Sequence, residues 1–69
     1  MFDELAMLTL LRKKKKTQEE WAKYLGINKA TLHRKMIGES DFWRDEIQKT
    51  CDFLGEEELN SIFFAKEVT

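Results

Sequence analysis

The chain has 69 residues, 42% of them hydrophobic and 36% charged, with a formal net charge of −1 at pH 7. This length predicts one small domain over residues 1–69, and a single cysteine and a single histidine exclude an internal disulfide and a zinc site. No apolar run approaches the roughly 20 residues of a membrane span and no secretory leader is visible, which predicts a soluble, cytoplasmic protein without a membrane partner.

The first predicted helix covers residues 2–14. Its inward face is expected to consist of apolar residues at helical spacing: Leu5, Leu8 and Leu11, extended by Met7. Three further apolar residues fall off this stripe: Phe2, Ala6 and Leu10. Isolated exposed apolar residues are ordinary, and a contact patch for a partner is the alternative interpretation.

A five-residue basic run closes the first helix: Arg12, Lys13, Lys14, Lys15 and Lys16. In an isolated context such a run is as often a solvated helix end as a binding site. Here it leads directly into a capped second helix, which favours contact with phosphate groups.

The second predicted helix covers residues 18–24 and begins with a capping box, in which Thr17 and Glu20 each satisfy a free backbone N–H of the other. Three residues form its inward face: Trp21, Ala22 and Leu25. Gly26 is expected to end the helix in a left-handed conformation, followed by the apolar Ile27.

The third predicted helix covers residues 29–37, with Asn28 as its N-cap and Gly38 after its end. Leu32 and Met36 are one turn apart and are expected to face inward. The outward side is expected to carry Ala30, His33 and Arg34, flanked by Lys29, Thr31 and Lys35. This face is basic and lacks carboxylates, which suits the DNA major groove, although a helical hairpin with a solvated basic face is the plainer alternative.

Residues 39–43 are predicted to form a loop in which Phe42 belongs to the core. Trp43 could cover the start of the fourth helix or pack against DNA or a partner, and packing within the protein is favoured for a lone tryptophan. A fourth helix is expected over residues 44–54, with an inward face of Ile47, Cys51 and Leu54. A fifth helix is expected to open with the carboxylates at 56–58 near its positive end. Its inward residues are Leu59, Ile62 and Phe63, with Phe64 off that face, and residues 66–69 are expected to fray.

No catalytic constellation is visible, so an enzyme with a small-molecule substrate is not expected. Ser40 and Ser61 lack a His–carboxylate partner set, and Cys51 is predicted to be a buried apolar residue instead of a nucleophile. The acidic clusters lack the spacing of a Ca²⁺ loop, and there is no glycine-rich phosphate loop. We expect no cofactor and no metal.

Charge divides the chain into two halves. Residues 1–38 hold nine Lys/Arg and four Asp/Glu, a net charge of +5, whereas residues 39–69 hold three and nine, a net charge of −6. The basic half carries the hairpin, and its local field, more than the total charge, governs attraction to phosphate. The acidic half is expected to face away from DNA or towards a basic partner.

The segment 17–38 resembles the helix-turn-helix of Cro/CI-type (XRE-like) transcriptional regulators of phages and mobile elements. The matching residues are Thr17, Gln18, Glu19, Glu20, Ala22, Leu25, Gly26, Ile27, Asn28, Thr31, Leu32, Arg34 and Gly38. The segments GESDFWRDEI and ELNSIFF resemble a short phage-borne branch of this family. The resemblance implies an all-α, lambda-repressor-like bundle of about five short helices, with the helix-turn-helix at helices 2 and 3.

The resemblance also implies roles for individual residues. Base-reading residues would be Lys29, Ala30, Thr31, His33 and Arg34. Contacts to the DNA backbone would come from Arg12, Lys13, Lys14, Lys15, Lys16, Thr17, Gln18, Lys23, Asn28 and Lys35. Two positions depart from the family: Lys15 stands where members often carry glycine, and Glu39 stands where many carry Lys or Arg.

Two functions follow as hypotheses. The first is a Cro-like repressor that occupies a double-stranded DNA operator, as a homodimer that uses the end of helix 5 with Phe64 and the tail. The second is an antirepressor, or modulator of repression, that binds the opposing phage repressor through its acidic half. Four apolar residues off the predicted core would form its partner interface: Phe2, Leu10, Trp43 and Phe64. Antitoxins of small toxin–antitoxin pairs share the expected fold, but no residue of this sequence supports that function.

Overall fold

The computed structural model describes residues 1–65 and contains five helices in that range. They are α1 (Glu4–Lys13), α2 (Gln18–Leu25), α3 (Lys29–Met36), α4 (Arg44–Leu54) and α5 (Asn60–Phe63). No strand occurs among these residues, so the predicted all-α bundle is confirmed. Residues 66–69, for which fraying was expected, lie outside the described range.

Helix α2 lies at the centre of the bundle, packed against both α3 and α4, while α5 packs against α1. Its side chain Trp21 is fully buried, and the indole N–H donates a 2.9 Å hydrogen bond to Thr50 Oγ1 of α4. Thr50 in turn donates to the Glu46 carbonyl at 2.8 Å. The one polar atom of the largest core side chain is therefore satisfied, as burial requires.

Three phenylalanine rings from distant parts of the chain form an aromatic cluster with Trp21: Phe2, Phe42 and Phe63. Phe42 lies 5.7 Å from the Trp21 ring, and both Phe2 and Phe63 lie within about 5 Å of Phe42 between ring centroids (4.9 Å in each case). The backbone N–H of Asp3 donates to the Ile62 carbonyl at 2.7 Å, which brings the start of α1 to α5. The prediction that Phe42 belongs to the core is confirmed.

The predicted inward face of α1 is partly wrong. Leu5 is 75% exposed, whereas Met7 and Leu11 are buried and Leu8 is half-buried. Phe2 and Leu10, predicted to lie off the core, pack against it. The apolar residues of α1 fit two helical stripes, and the stripe that includes Met7 and Leu11 belongs to the same buried cluster as Trp21.

The hairpin of α2 and α3 forms as its local signals predict. Thr17 and Glu20 make both capping-box bonds, at 2.9 and 3.1 Å, and Gly26 adopts a left-handed conformation with φ of 76°. Asn28 Oδ1 accepts the Thr31 N–H at 2.7 Å and caps α3. Helix α2 extends one residue beyond the predicted end and α3 stops one residue before it.

The predicted start of the fifth helix is wrong. The carboxylates at 56–58 precede α5 instead of opening it, and the Asn60 N–H donates to Glu58 Oε2 at 2.7 Å. Leu59 is buried in a non-helical conformation directly before α5, so the chain turns inward there and no helix can run through from Glu56. The expected inward positions of Leu59 and Phe63 are confirmed.

Lys15 is the only non-glycine residue with a positive φ among the described residues, at 59°. A side chain in the left-handed region costs roughly 1–2 kcal/mol. We expect Lys15→Gly to raise the free energy of unfolding by about 1 kcal/mol and the melting temperature by roughly 4–8 °C. Thermal denaturation followed by circular dichroism measures this.

Lys15→Ala is the matched control, because it removes the same charge and keeps the Cβ atom that the left-handed conformation disfavours. Lys15→Ala is expected to give none of the gain. Equal shifts for both variants would assign the effect to charge and contradict a backbone origin.

Candidate nucleic-acid interface

The outer side of α3 is an exposed stripe that begins at its capped end. Lys29, Ala30, His33 and Arg34 are exposed and Thr31 is half-buried. Leu32 and Met36 are buried on the opposite side, which fixes the rotation of the helix about its axis. The structure thus brings four of the five predicted base-reading side chains onto one accessible surface.

The start of α2 lies beside the basic run and is also accessible. Thr17 is exposed and Gln18 is half-buried, and the Thr17 hydroxyl oxygen is occupied as an acceptor in the capping box. The first peptide N–H groups of a helix attract anions, since they have no partner within the helix. Asn28 has its side-chain oxygen engaged in capping α3, so its contribution is structural.

Some side chains of the basic run are exposed, and others contact residues elsewhere in the protein. Arg12, Lys13 and Lys15 are exposed. Lys14 forms a 3.4 Å ion pair with Glu56, and the Lys16 ammonium lies 5.2 Å from the centre of the Phe53 ring. Lys23, on α2, is exposed.

The predicted outward position of Lys35 is wrong. Lys35 is 7% exposed, and its Nζ lies 3.0 Å from Glu46 Oε1 and donates to the Asp41 carbonyl at 2.9 Å. Lys35 lies inward because Glu46 of α4 is there to pair with its charge. Lys29, at the same angle of ~60° from Leu32, has no such partner among residues 1–65 and is exposed. The Lys35 ammonium has two protein partners, so it is withdrawn from the set of phosphate-contacting residues.

Trp43 does not pack as expected. Its side chain is 69% exposed, with the Lys35 Nζ 5.7 Å from the ring centre, while its backbone N–H donates to Glu46 Oε1 at 2.8 Å. The residue starts α4 through its backbone and leaves its indole at the surface. Nothing in the sequence distinguishes this exposed tryptophan from the buried Trp21 except the helical spacing around Trp21.

Sequence reasoning missed an open groove of about 640 Å³ beside the end of α3. Exposed apolar side chains line it at three points: Met1, Ile37 and Phe64, the last two being 50% and 60% exposed. Ile37 follows His33 by four residues and therefore continues the outer stripe of α3. The stripe thus ends in apolar surface.

The loop after α3 places carboxylates at the same end of the stripe. Glu39 and Asp41 are both exposed. The Arg34 carbonyl accepts the N–H groups of Glu39 at 2.9 Å and Ser40 at 3.3 Å, which fixes this loop to the last turn of α3. Negative charge therefore adjoins the basic stripe at its carboxyl-terminal end.

Cys51 is buried, and burial raises the pKa of its thiol, with Asp52 and Glu58 adding to the rise. A raised pKa leaves less thiolate at any given pH than the unfolded chain has, and the thiolate is the reactive form. We expect Cys51 to resist a disulfide reagent at pH 8 in the folded protein and to react fully in denaturant. Rapid labelling of the native protein would contradict this.

Within residues 1–65, no group of three or more His, Cys, Asp or Glu side chains is placed to hold a metal ion. Over the same range, no helix has both the length and the hydropathy needed to cross a bilayer. Comparison with protein-family models, with curated proteins and with solved structures found no match.

Proposed function

We propose that this protein is a sequence-specific DNA-binding transcriptional regulator in which α2, the turn at Gly26 and α3 act as a helix-turn-helix. The observation that carries this proposal is the exposed stripe of α3, which is basic, free of carboxylates and held in one orientation by Leu32 and Met36. A helix of this kind enters the major groove with its amino-terminal and middle residues towards the bases.

Roles within the stripe follow from side-chain chemistry. Arg34 and Lys29 are suited to donate to guanine O6 and N7, and Ala30 and Thr31 to contact a thymine methyl group. His33 lies beside Arg34 on the same exposed surface. Small residues next to long cationic ones allow the helix to approach the base edges closely.

Phosphate contacts are assigned to the exposed cations around the hairpin. Arg12, Lys13, Lys15 and Lys23 are exposed. The first turn of α2 adds the Gln18 peptide N–H as a donor, since the Thr17 N–H already donates to Glu20 Oε1. Lys14 and Lys35 are excluded from the primary set because each pairs with a carboxylate of the acidic half. Phosphate contacts place the protein on the duplex without reading its sequence.

Regulation is proposed to occur by occupancy of an operator, which excludes the polymerase or a competing repressor. Two copies would bind two half-sites about one helical turn, roughly 34 Å, apart. The exposed Phe64 beside α5 supports a contact between copies at that end. The proposed context is a phage or an integrated element, on the family resemblance alone.

A second function, an antirepressor that binds an opposing repressor protein, is favoured by a different observation. The end of the α3 stripe turns apolar at Ile37 and adjoins the groove and the exposed Phe64, with Glu39 and Asp41 nearby. Apolar surface edged by carboxylates fits a basic protein better than it fits phosphate. Of the four predicted interface residues, only Trp43 and Phe64 are exposed, since Phe2 and Leu10 pack against the core.

The two functions are separated by selection of DNA from a pool of random duplexes. The DNA-binding function predicts enrichment of a defined motif by the wild-type protein. Ala30→Glu, which places a carboxylate on the exposed stripe and touches no core residue, is expected to abolish that enrichment. Failure of the wild-type protein to enrich any motif would contradict the DNA-binding function and favour the protein partner.

A further inference from the structure

The Lys35 ammonium connects three consecutive parts of the chain. Lys35 lies in the last turn of α3, its partner Asp41 lies in the following loop, and its partner Glu46 lies in the first turn of α4. The same Glu46 Oε1 accepts the Trp43 N–H at 2.8 Å. One ion pair therefore joins the end of α3, the loop and the start of α4.

The pair is nearly closed to solvent. The side chains of Lys35 and Glu46 are 8% and 12% exposed, and no buried side-chain nitrogen or oxygen in the described residues lacks a hydrogen-bond partner. A buried ion pair contributes little net stability compared with apolar residues of similar volume, because both charges must be desolvated. The pair instead restricts the position of α3 relative to α4, since its two buried charges tolerate few alternative arrangements.

The ion pair affects the position of the exposed stripe of α3. Helix α3 packs on α2 through the bundle core, and α2 packs on α4, so Lys35–Glu46 supplies the direct ionic link between α3 and α4. Arg34 adjoins Lys35, and its carbonyl is bound by the Glu39 and Ser40 N–H groups of the same loop. A shift of the last turn of α3 would therefore move the guanidinium proposed to read bases.

We propose that Lys35 and Glu46 form a positioning pair that sets DNA sequence discrimination by fixing the last turn of α3, without touching DNA. This inference rests on the DNA-binding function proposed above. It reverses the role expected of Lys35 as a phosphate contact. It also gives Glu46 two roles, as the partner of Lys35 and as the acceptor that closes the first turn of α4.

The test is the double variant Lys35→Met/Glu46→Gln. It removes both charges together, so no buried charge is left unpaired, and glutamine keeps an oxygen that can accept the Trp43 N–H. Affinities for a selected duplex and for a random duplex are measured across a salt series, at a temperature where melting curves show both proteins folded. The control is Lys13→Met, which removes an exposed charge of the basic run.

The positioning role predicts that the ratio of the affinity for the selected duplex to the affinity for the random duplex falls about tenfold in the double variant. A change of this size lies within the range expected when one base contact is disturbed. Its slope of log affinity against log salt on random DNA is expected to stay unchanged. Lys13→Met is expected to keep the ratio and to reduce the magnitude of the slope by about 1, as loss of one phosphate contact does. Glu46→Asp, which keeps both charges but draws the carboxylate back by one methylene, is expected to lower the ratio as well.

Two results would overturn the positioning role alone. A folded double variant with an unchanged ratio would make the pair purely structural. A double variant that behaves like Lys13→Met would make Lys35 a phosphate contact. If the double variant does not fold, Glu46→Asp decides, because an unchanged ratio in that folded variant overturns the role. If the wild-type protein shows no preference for any duplex, that result contradicts the proposed DNA-binding function itself, and the positioning role fails with it.

Discussion

Trp21→Ala is expected to lower the free energy of unfolding by about 3–5 kcal/mol, the usual cost of truncating a buried tryptophan. Trp21 is fully buried, its ring stacks on Phe42, and its N–H bonds to Thr50 of α4. A domain of this size has only about 5 kcal/mol of stability to lose. Urea denaturation followed by circular dichroism should therefore find the variant largely unfolded before denaturant is added.

Trp43→Ala is the matched control, since it truncates the same residue type at a position 69% exposed. The Trp43 backbone N–H keeps its bond to Glu46 whatever the side chain, and truncation removes the contact of the ring with the Lys35 Nζ, so a loss of up to about 1 kcal/mol is expected. Comparable losses for the two tryptophan variants would contradict the assignment of Trp21 to the centre of the core.

Arg34→Ala is expected to cost roughly 1–3 kcal/mol of binding free energy on the preferred duplex and to relax the preference at one base pair. Arg34 is exposed on the stripe of α3, and truncation removes a donor that can bind guanine bidentately. The folded structure should be unaffected, since the side chain makes no contact in the core. Competition binding against duplexes substituted at single positions measures both effects.

Lys13→Ala separates charge loss from base reading, because Lys13 is also exposed and lies on the basic run. It is expected to weaken binding to all sequences by a similar factor and to leave the preference intact. If Arg34→Ala behaved as Lys13→Ala does, the assignment of base reading to α3 would fail.

Local signals suffice for much of this fold. The capping box at Thr17 and Glu20, the left-handed Gly26 and the cap at Asn28 depend on residues three or four apart, so the hairpin is encoded where it forms. The same is true of α4, whose predicted bounds of residues 44–54 match the structure. Four of the five proposed base-reading residues are exposed as predicted for the same reason.

The errors occur where distant residues decide. By spacing alone, either Leu5 or Met7 could face the core side of α1. Met7 is buried and Leu5 is exposed because α1 packs on the part of the core that contains Trp21 and its neighbouring aromatic rings. Lys35 turns inward because Glu46, eleven residues further on, receives its charge. The spacing of apolar residues within one helix carries no information about residues on other helices. The burial of Met7 and Lys35 therefore depends on the tertiary structure.

Both ion pairs found within residues 1–65 cross the charge division of the chain. Lys14 with Glu56 and Lys35 with Glu46 each join a cation of residues 1–38 to a carboxylate of residues 39–69. The acidic half therefore neutralises part of the basic half internally. The exposed cations of residues 1–38 lie along the basic run, on α2 and on the outer side of α3, where DNA contact is proposed.

The most direct test of DNA reading by α3 is a salt titration of wild-type binding to a selected duplex beside a random duplex of equal length. The proposed function predicts preferential binding to the selected duplex and a log affinity that falls steeply with log salt on both, since several phosphates are neutralised. Weak and equal binding to both duplexes at low salt would contradict it and assign the exposed surface around α3 to a protein partner.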